Sequence, residues 1–232
     1  MIAKNEYVIV LDTETANSID DPLCYDIGFA VVNPFTAEVV EQQSYVVAEI
    51  FLDDELMQSA YFAEKVPQYW EDIKNGTRKL AKLSTIRKAL ANTCKKYKVS
   101  KLFAHNMRFD NRSCNTTQRL LTSSKYRYFF PFGVEMWDTL KMARNILKDN
   151  EAYGEFCYRN DFMTKNGQRR YTAEIIYRFL TDDVTFEEEH RGIEDVLIEK
   201  EILYFCLMMD AEMDGKLWWV AILGARAQFV KK

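Results

Sequence analysis

The chain has 232 residues, 48% hydrophobic and 14% aromatic, enough for one large core, and carries a formal charge of −4. It has no apolar run of about eighteen residues or more, and its start enters a strand pattern with no basic segment leading an apolar one, so neither a membrane span nor a secretory leader is expected. Five scattered cysteines (Cys24, Cys94, Cys114, Cys157, Cys206) without C-x-x-C spacing argue against a disulfide framework or a zinc site. The expectation is a single soluble, cytoplasmic domain.

In chain order, residues 7–11 form an apolar, β-branched run, and residues 27–32 and 39–47 carry similar strand signals with Asn33-Pro34 as a turn, which predicts an opening three-stranded meander. Residues 55–100 read as helical, interrupted at Pro67 and at Asn75-Gly76, and residues 102–104 as a short strand leading into a helix beyond Asp110. A fifth strand is expected over 129–134 despite Pro131, followed by Asp138-Thr139 as the cap of a helix through Leu147. Residues 149–171 are polar and turn-rich, residues 171–180 look helical, and a long helix begins near Gly192 after an acidic loop. Strands first and helices later predict a mixed α/β sheet covered by helices.

Charge is unevenly spread. Residues 74–101 hold ten Lys or Arg and no Asp or Glu, which leaves the remainder at −14. Such a segment suits either a guide for a phosphate backbone or the solvated face of a helix that buries Leu80, Leu83, Ile86 and Leu90.

Three acidic motifs carry the chemistry. Asp12 and Glu14 follow the first apolar run, and strand alternation points both to one face, where crowded carboxylates raise a pKa or recruit a cation such as Mg²⁺ or Mn²⁺. His105 and Asp110 bracket the second motif. In the third, Asp195 shares a helical stripe with Ile198, Ile202, Phe205, Cys206 and Met209, so its carboxylate faces inward and needs a partner. His190, just before that helix, has the ordinary pKa range to accept a proton near neutral pH. Four carboxylates and an imidazole read as a metal-dependent phosphodiesterase.

Asp12-x-Glu14, then His105-Asn106-Met107-Arg108-Phe109-Asp110, then His190 and Asp195 five residues apart, resemble in order and spacing the three motifs of the DEDDh, or DnaQ-like, 3′–5′ exonucleases. The stretch Trp137-Asp138-Thr139-Leu140 through Arg144 is similar to the strand-to-helix segment between motifs two and three of that family. The resemblance implies a ribonuclease H-like fold with a central mixed five-stranded sheet flanked by helices. It also implies two Mg²⁺ or Mn²⁺ ions held by Asp12, Glu14, Asp110 and Asp195, with Asp12 shared, and His190 as general base. Thr13, Thr15, His105, Asn106 and Phe109 match family positions near the terminal nucleotide, His105 being equally suited to a structural role and Phe109 better suited to packing. Nucleic acid, most naturally a single-stranded 3′ end, is the implied partner, and 5′-mononucleotides the product. Family habit suggests an accessory or proofreading nuclease of replication or repair, bacterial or phage-encoded, with a replication or repair protein as a further partner.

Residues 50–76 depart from the polymerase proofreading subunit in lacking its histidine-containing turn, and 149–171 look like an insertion beside the site. An exoribonuclease or oligoribonuclease on the same scaffold stands as the alternative, and a noncatalytic nucleic-acid-binding module as a third reading. Tyr61-Phe62 and Tyr69-Trp70 suit base stacking or core packing, and Trp218-Trp219 suits a clamp on the fold or a partner surface.

Overall fold

The computed structural model describes residues 2, 6–123, 125 and 127–213, with side chains only to residue 209 in the last helix. Trp218-Trp219 lie outside these residues. Six strands form one sheet in the order β4-β3-β2-β1-β5-β6: β1 (Val8–Ala16), β2 (Leu23–Asn33), β3 (Glu38–Val47), β4 (Lys79–Ala81), β5 (Lys101–Ala104) and β6 (Glu135–Asp138). The meander β1-β2-β3 is antiparallel, whereas β5 and β6 on one side and β4 on the other add in parallel.

The helices are α1 (Ala48–Phe51), α2 (Asp54–Met57), α3 (Val66–Asn75), α4 (Leu83–Tyr97), α5 (Met107–Leu121), α6 (Thr139–Leu147), α7 (Glu151–Arg159), α8 (Ala173–Thr181) and α9 (Gly192–Met213). Alternation along β1 divides the core. Ile9 and Leu11 join Leu83, Ile86 and Leu90 of α4 and Met107 and Cys114 of α5 on one face. Val8 and Val10 pack with Ile193, Val196 and Leu203 of α9 on the other. The opposite side of α9 places Ile198, Ile202, Phe205 and Cys206 among buried residues of α6, α7 and α8. A helix held between a sheet and other helices is apolar nearly all round, as this one is.

The mixed sheet flanked by helices matches the expected class, with three local corrections. Among the described residues there are six strands instead of five: β4 is a three-residue edge strand, Lys79-Leu80-Ala81, inside the stretch read as helical, too short to show an alternating pattern before it pairs with β3. The strand expected at 129–134 lies instead at Glu135–Asp138. Phe129 and Phe130 turn into the core, and Pro131 and Gly133, with φ 83°, break the chain before the edge strand begins. The polar segment 149–171 contains the helix α7, capped by the Asn150 side chain, because Tyr153, Phe156 and Cys157 recur at helical spacing and are buried. Asp138 caps α6 by accepting the Leu140 N–H at 3.0 Å, as the sequence predicts.

Candidate active site

Asp12 and Glu14 project from β1 toward α9. That helix can approach because two glycines meet: a Cβ built on Gly28 would lie 2.3 Å from the backbone carbon of Gly192 and 2.3 Å from the nitrogen of Ile193. Gly28 pairs directly with Asp12 across the β1–β2 ladder. The contact therefore brings the start of α9, with Asp195, against the first acidic motif.

A buried ion network holds the helix start in place. Asp26 on β2 is fully buried and accepts from the Arg78 guanidinium at 2.6 and 2.7 Å, from the Tyr69 hydroxyl at 2.8 Å and from the Gly192 N–H at 2.8 Å. Arg78 also donates to Glu194 at 2.6 Å and to Asp72 at 3.3 Å, and Arg191 donates to Asp72 at 2.7 Å. Of the basic segment, then, Arg78 is a core cation. Lys96 pairs with Glu41 and Lys101 with Glu6, and no residue of 74–101 lines the active-site cleft. The apolar positions Leu83, Ile86 and Leu90 of α4 are buried, in agreement with the solvated-face reading, whereas Leu80 lies on the edge strand β4 and is only partly buried.

The cleft has a volume of about 540 Å³. Its lining includes the acids Asp12, Glu14, Glu188, Asp195 and Glu199 with His190, and also Arg144, Arg169, Arg170 and Tyr171. Glu14, His190 and Asp195 each offer a ligand atom within 4.8 Å of the others. Asp195 Oδ2 accepts the Arg191 N–H at 2.8 Å, while its Oδ1 is buried with no hydrogen-bond partner. Asp110, 2% exposed, accepts from the Thr13 hydroxyl at 2.8 Å.

Burial and mutual repulsion push these carboxyl groups up. Burial lifts Asp110 to about 7 and Asp195 to about 8, the latter helped by Glu188. Asp12 stands well above its ordinary value through burial, then the charges of Glu199 and Asp110; Glu14 does so through burial, then Asp195. Burial also lifts Glu188 to about 7. An oxygen-rich, charge-crowded pocket containing an orphaned buried carboxylate oxygen fits a hard divalent cation such as Mg²⁺ or Mn²⁺.

His190 has the left-handed φ of 52° and stacks on Phe62, ring centroids 4.2 Å apart at 9°. Its Nδ1 lies 4.0 Å from Glu188, and burial lowers its pKa, so the ring is neutral near pH 7. His105 is tied inward: Nε2 donates to the Tyr171 carbonyl at 2.7 Å, which leaves Nδ1 to accept from Thr139 at 3.2 Å. It still borders the cleft beside Asn106, the left-handed residue that precedes α5. Asp110, Thr13, Thr15 and Phe109 do not line the cleft. Thr13 is 5% exposed and serves Asp110, and Phe109 packs beside Arg112.

Several residues at the site are not singled out by the motifs. Glu199 follows Asp195 by four residues, so helical spacing alone could have revealed it. Asp26 and Arg78 meet across 52 residues, with no local signal. Of the aromatic pairs, Tyr69 is core, Trp70 packs on Phe51 while half exposed, and Phe62 supports His190.

This mixed sheet, with acidic side chains at the end of its central strand, has the fold of the DEDDh 3′-exonucleases. Among solved structures, the nuclease domain of 3′hExo, a DEDDh family member bound to rAMP, is similar at TM-score 0.57 and 14% identity, over 93% of this chain and 96% of that one. A 3′-exonuclease recognising the histone mRNA stem-loop matches at TM-score 0.58 and 11% identity, over 92% of this chain. Exonuclease I matches at TM-score 0.52 and 12% identity, over 89% of this chain. This chain spans 66% of the stem-loop-binding exonuclease and 44% of exonuclease I. No family model and no curated protein matches by sequence.

Proposed function

We propose that the chain is a metal-dependent 3′–5′ exonuclease that releases 5′-mononucleotides from a nucleic-acid 3′ end. The observation that carries this reading is the crowding of Asp12, Glu14 and Asp195 in a cleft that also holds a neutral histidine, with the buried Asp110 close enough for its charge to act on Asp12. Two Mg²⁺ or Mn²⁺ ions would be held by Asp12, Glu14, Asp110 and Asp195. Bound there, such ions supply activation of water and charge stabilisation at the scissile phosphate.

The chain's own groups account for the rest. His190, kept neutral by burial and held by Phe62, accepts the proton of the attacking water on an imidazole nitrogen. Arg144 and Arg170 are exposed residues lining the same cleft and would take backbone phosphates, drawing the strand toward Tyr171. A cleft of about 540 Å³ suits one terminal nucleotide, being within the roughly 300–1,000 Å³ usual for small-ligand sites.

DNA in replication or repair is the first reading of the polymer and its setting, with a partner protein of those processes as a further element. RNA is the second. It is supported by the two higher-scoring similar structures, which are a stem-loop-recognising 3′-exonuclease and an rAMP complex. The test is digestion of 5′-labelled single-stranded DNA, duplex DNA and RNA with Mg²⁺, Mn²⁺ or EDTA. A metal-dependent ladder shortening from the 3′ end, absent in Asp12→Ala, is expected. No cleavage of any polymer by folded, metal-loaded protein, or near-normal turnover by Asp12→Ala, would overturn the reading.

A further inference from the structure

A second groove, with a volume of about 780 Å³, opens beside the active-site cleft, and its lining includes Arg144, Lys148, Met163, Gln168, Arg169 and Tyr171. Arg144, Arg169 and Tyr171 line the cleft as well, so the two spaces are continuous. At this junction the Arg144 guanidinium lies 5.8 Å from the centre of the Tyr171 ring.

Much of the groove comes from the segment 149–171, whose backbone is held in place. Residues 162–170 form a tight hairpin: the Thr164 N–H donates to the Gln168 carbonyl at 2.7 Å, and the Arg170 N–H to the Phe162 carbonyl at 3.1 Å. Arg169 ties the hairpin to the junction of α6 and α7, donating from Nη1 to the Leu147 and Asn150 carbonyls at 2.9 and 2.8 Å. Arg144 and Lys148, by contrast, are exposed. They stand four residues apart at the end of α6, about 6 Å along its axis, a step that successive phosphates of an extended strand can match. Glu151 and Glu155 of α7 also line the groove, Glu155 being paired with Arg159. The segments that supply the cations, residues 139–148 and 162–171, each hold three Lys or Arg and no Asp or Glu. A strand whose end lies in the cleft therefore meets cations where it leaves past Tyr171.

We propose that this groove takes the two nucleotides that precede the terminal one, with Lys148 meeting a backbone phosphate, so that the substrate is a single strand of at least three nucleotides and a dinucleotide is a poor one. The inference rests on the exonuclease reading above and narrows its substrate. The volumes agree with it: the cleft suits one nucleotide at about 540 Å³, and the groove is larger.

The test uses 5′-labelled oligothymidylates and oligouridylates of two to six nucleotides with the full chain, Mg²⁺ and about 0.1 M salt. One phosphate contact on a single strand changes log affinity by about 0.7 per log unit of salt, worth about 5-fold at 0.1 M. For at least one of the two polymers kcat/KM should therefore rise roughly 10-fold or more between two and four nucleotides. Lys148→Ala should leave dinucleotide cleavage unchanged. Fluorescence anisotropy in the Asp12→Ala background, where the probe is not cut, gives the affinity. There Lys148→Ala should weaken the tetranucleotide about 5-fold and reduce its salt slope by about 0.7. Lys141→Ala, exposed on α6 but lining neither space, should keep the parental slope. Equal kcat/KM for dinucleotides and hexanucleotides, a parental slope in Lys148→Ala, or the same fall in Lys141→Ala would overturn the inference. Absence of cleavage at every length by the folded, metal-loaded parent would defeat the exonuclease reading instead, and the anisotropy arm would still decide the groove.

Discussion

Replacing Arg78 with methionine tests the link between the core and the site. The guanidinium and the Asp26 carboxylate are 1% and 0% exposed, and two contacts of 2.6 and 2.7 Å join them. Methionine fills most of the volume and retains packing beside the Tyr69 ring, over which the guanidinium lies at 4.7 Å. It leaves Asp26 with the Tyr69 hydroxyl and the Gly192 N–H but no countercharge. Breaking a buried pair from one side costs about 3–5 kcal/mol. For a chain of this size that lowers the melting temperature by roughly 6–20 °C. Because Arg78 also anchors Glu194, next to Asp195, Mn²⁺ affinity should fall together with stability. Urea unfolding followed by circular dichroism gives the stability, and calorimetry the affinity. Asp26→Asn combined with Arg78→Met removes both charges and should recover part of the loss. A loss below ~1 kcal/mol, the range of an exposed pair, or a double variant as unstable as the sum of the singles, would refute the reasoning.

Metal removal should make stability depend on pH in a definite direction. Asp110 and Asp195 titrate at about 7 and about 8 in the fold, above their value of 3.8 when unfolded. The native state therefore holds protons that the unfolded chain releases, and this contribution to stability is lost as pH rises from about 4 to about 8. In EDTA the melting temperature should fall over that interval, and Mn²⁺ should raise it most at the upper end; a metal-free melting temperature that climbs with pH would contradict this. Phe62→Ala removes the ring stacked on His190 and should lower kcat roughly 10–100-fold with little change in KM, while Phe62→Trp restores it. Equal kcat in Phe62→Ala and the parent would show that the stack does not position the base. Gly28→Ala places a methyl against the backbone at 192–193 and should cost about 1–3 kcal/mol, seen in urea unfolding, and weaken Mn²⁺ binding as α9 is displaced. Parental stability and binding would show that the helix start yields without effect.

Local periodicity was enough for the acids that lie on regular elements. Alternation by two along β1 places Asp12 and Glu14 on the α9 side, and the helical stripe through Ile198, Ile202 and Phe205 turns Asp195 inward. The same arithmetic reaches Glu199. It did not reach β6, whose exposed edge residues carry no apolar pattern, nor α7, whose three buried residues are diluted by polar neighbours.

What the chain pattern alone determined was the order of strands in the meander, the long final helix and the faces that carry the acidic motifs, because these follow from side-chain spacing within one element. Only the tertiary structure decided which charges are buried and what meets them. Asp26 sits in an apolar strand and Arg78 in a run of exposed lysines, and neither context marks a core ion pair. Phe62 reaches His190 from a loop 128 positions earlier in the chain. The cost of a buried charge and the seat of a stacked ring depend on atoms supplied by distant segments, so they exist only once α9 has closed on β1 and β2 through Gly28 and Gly192.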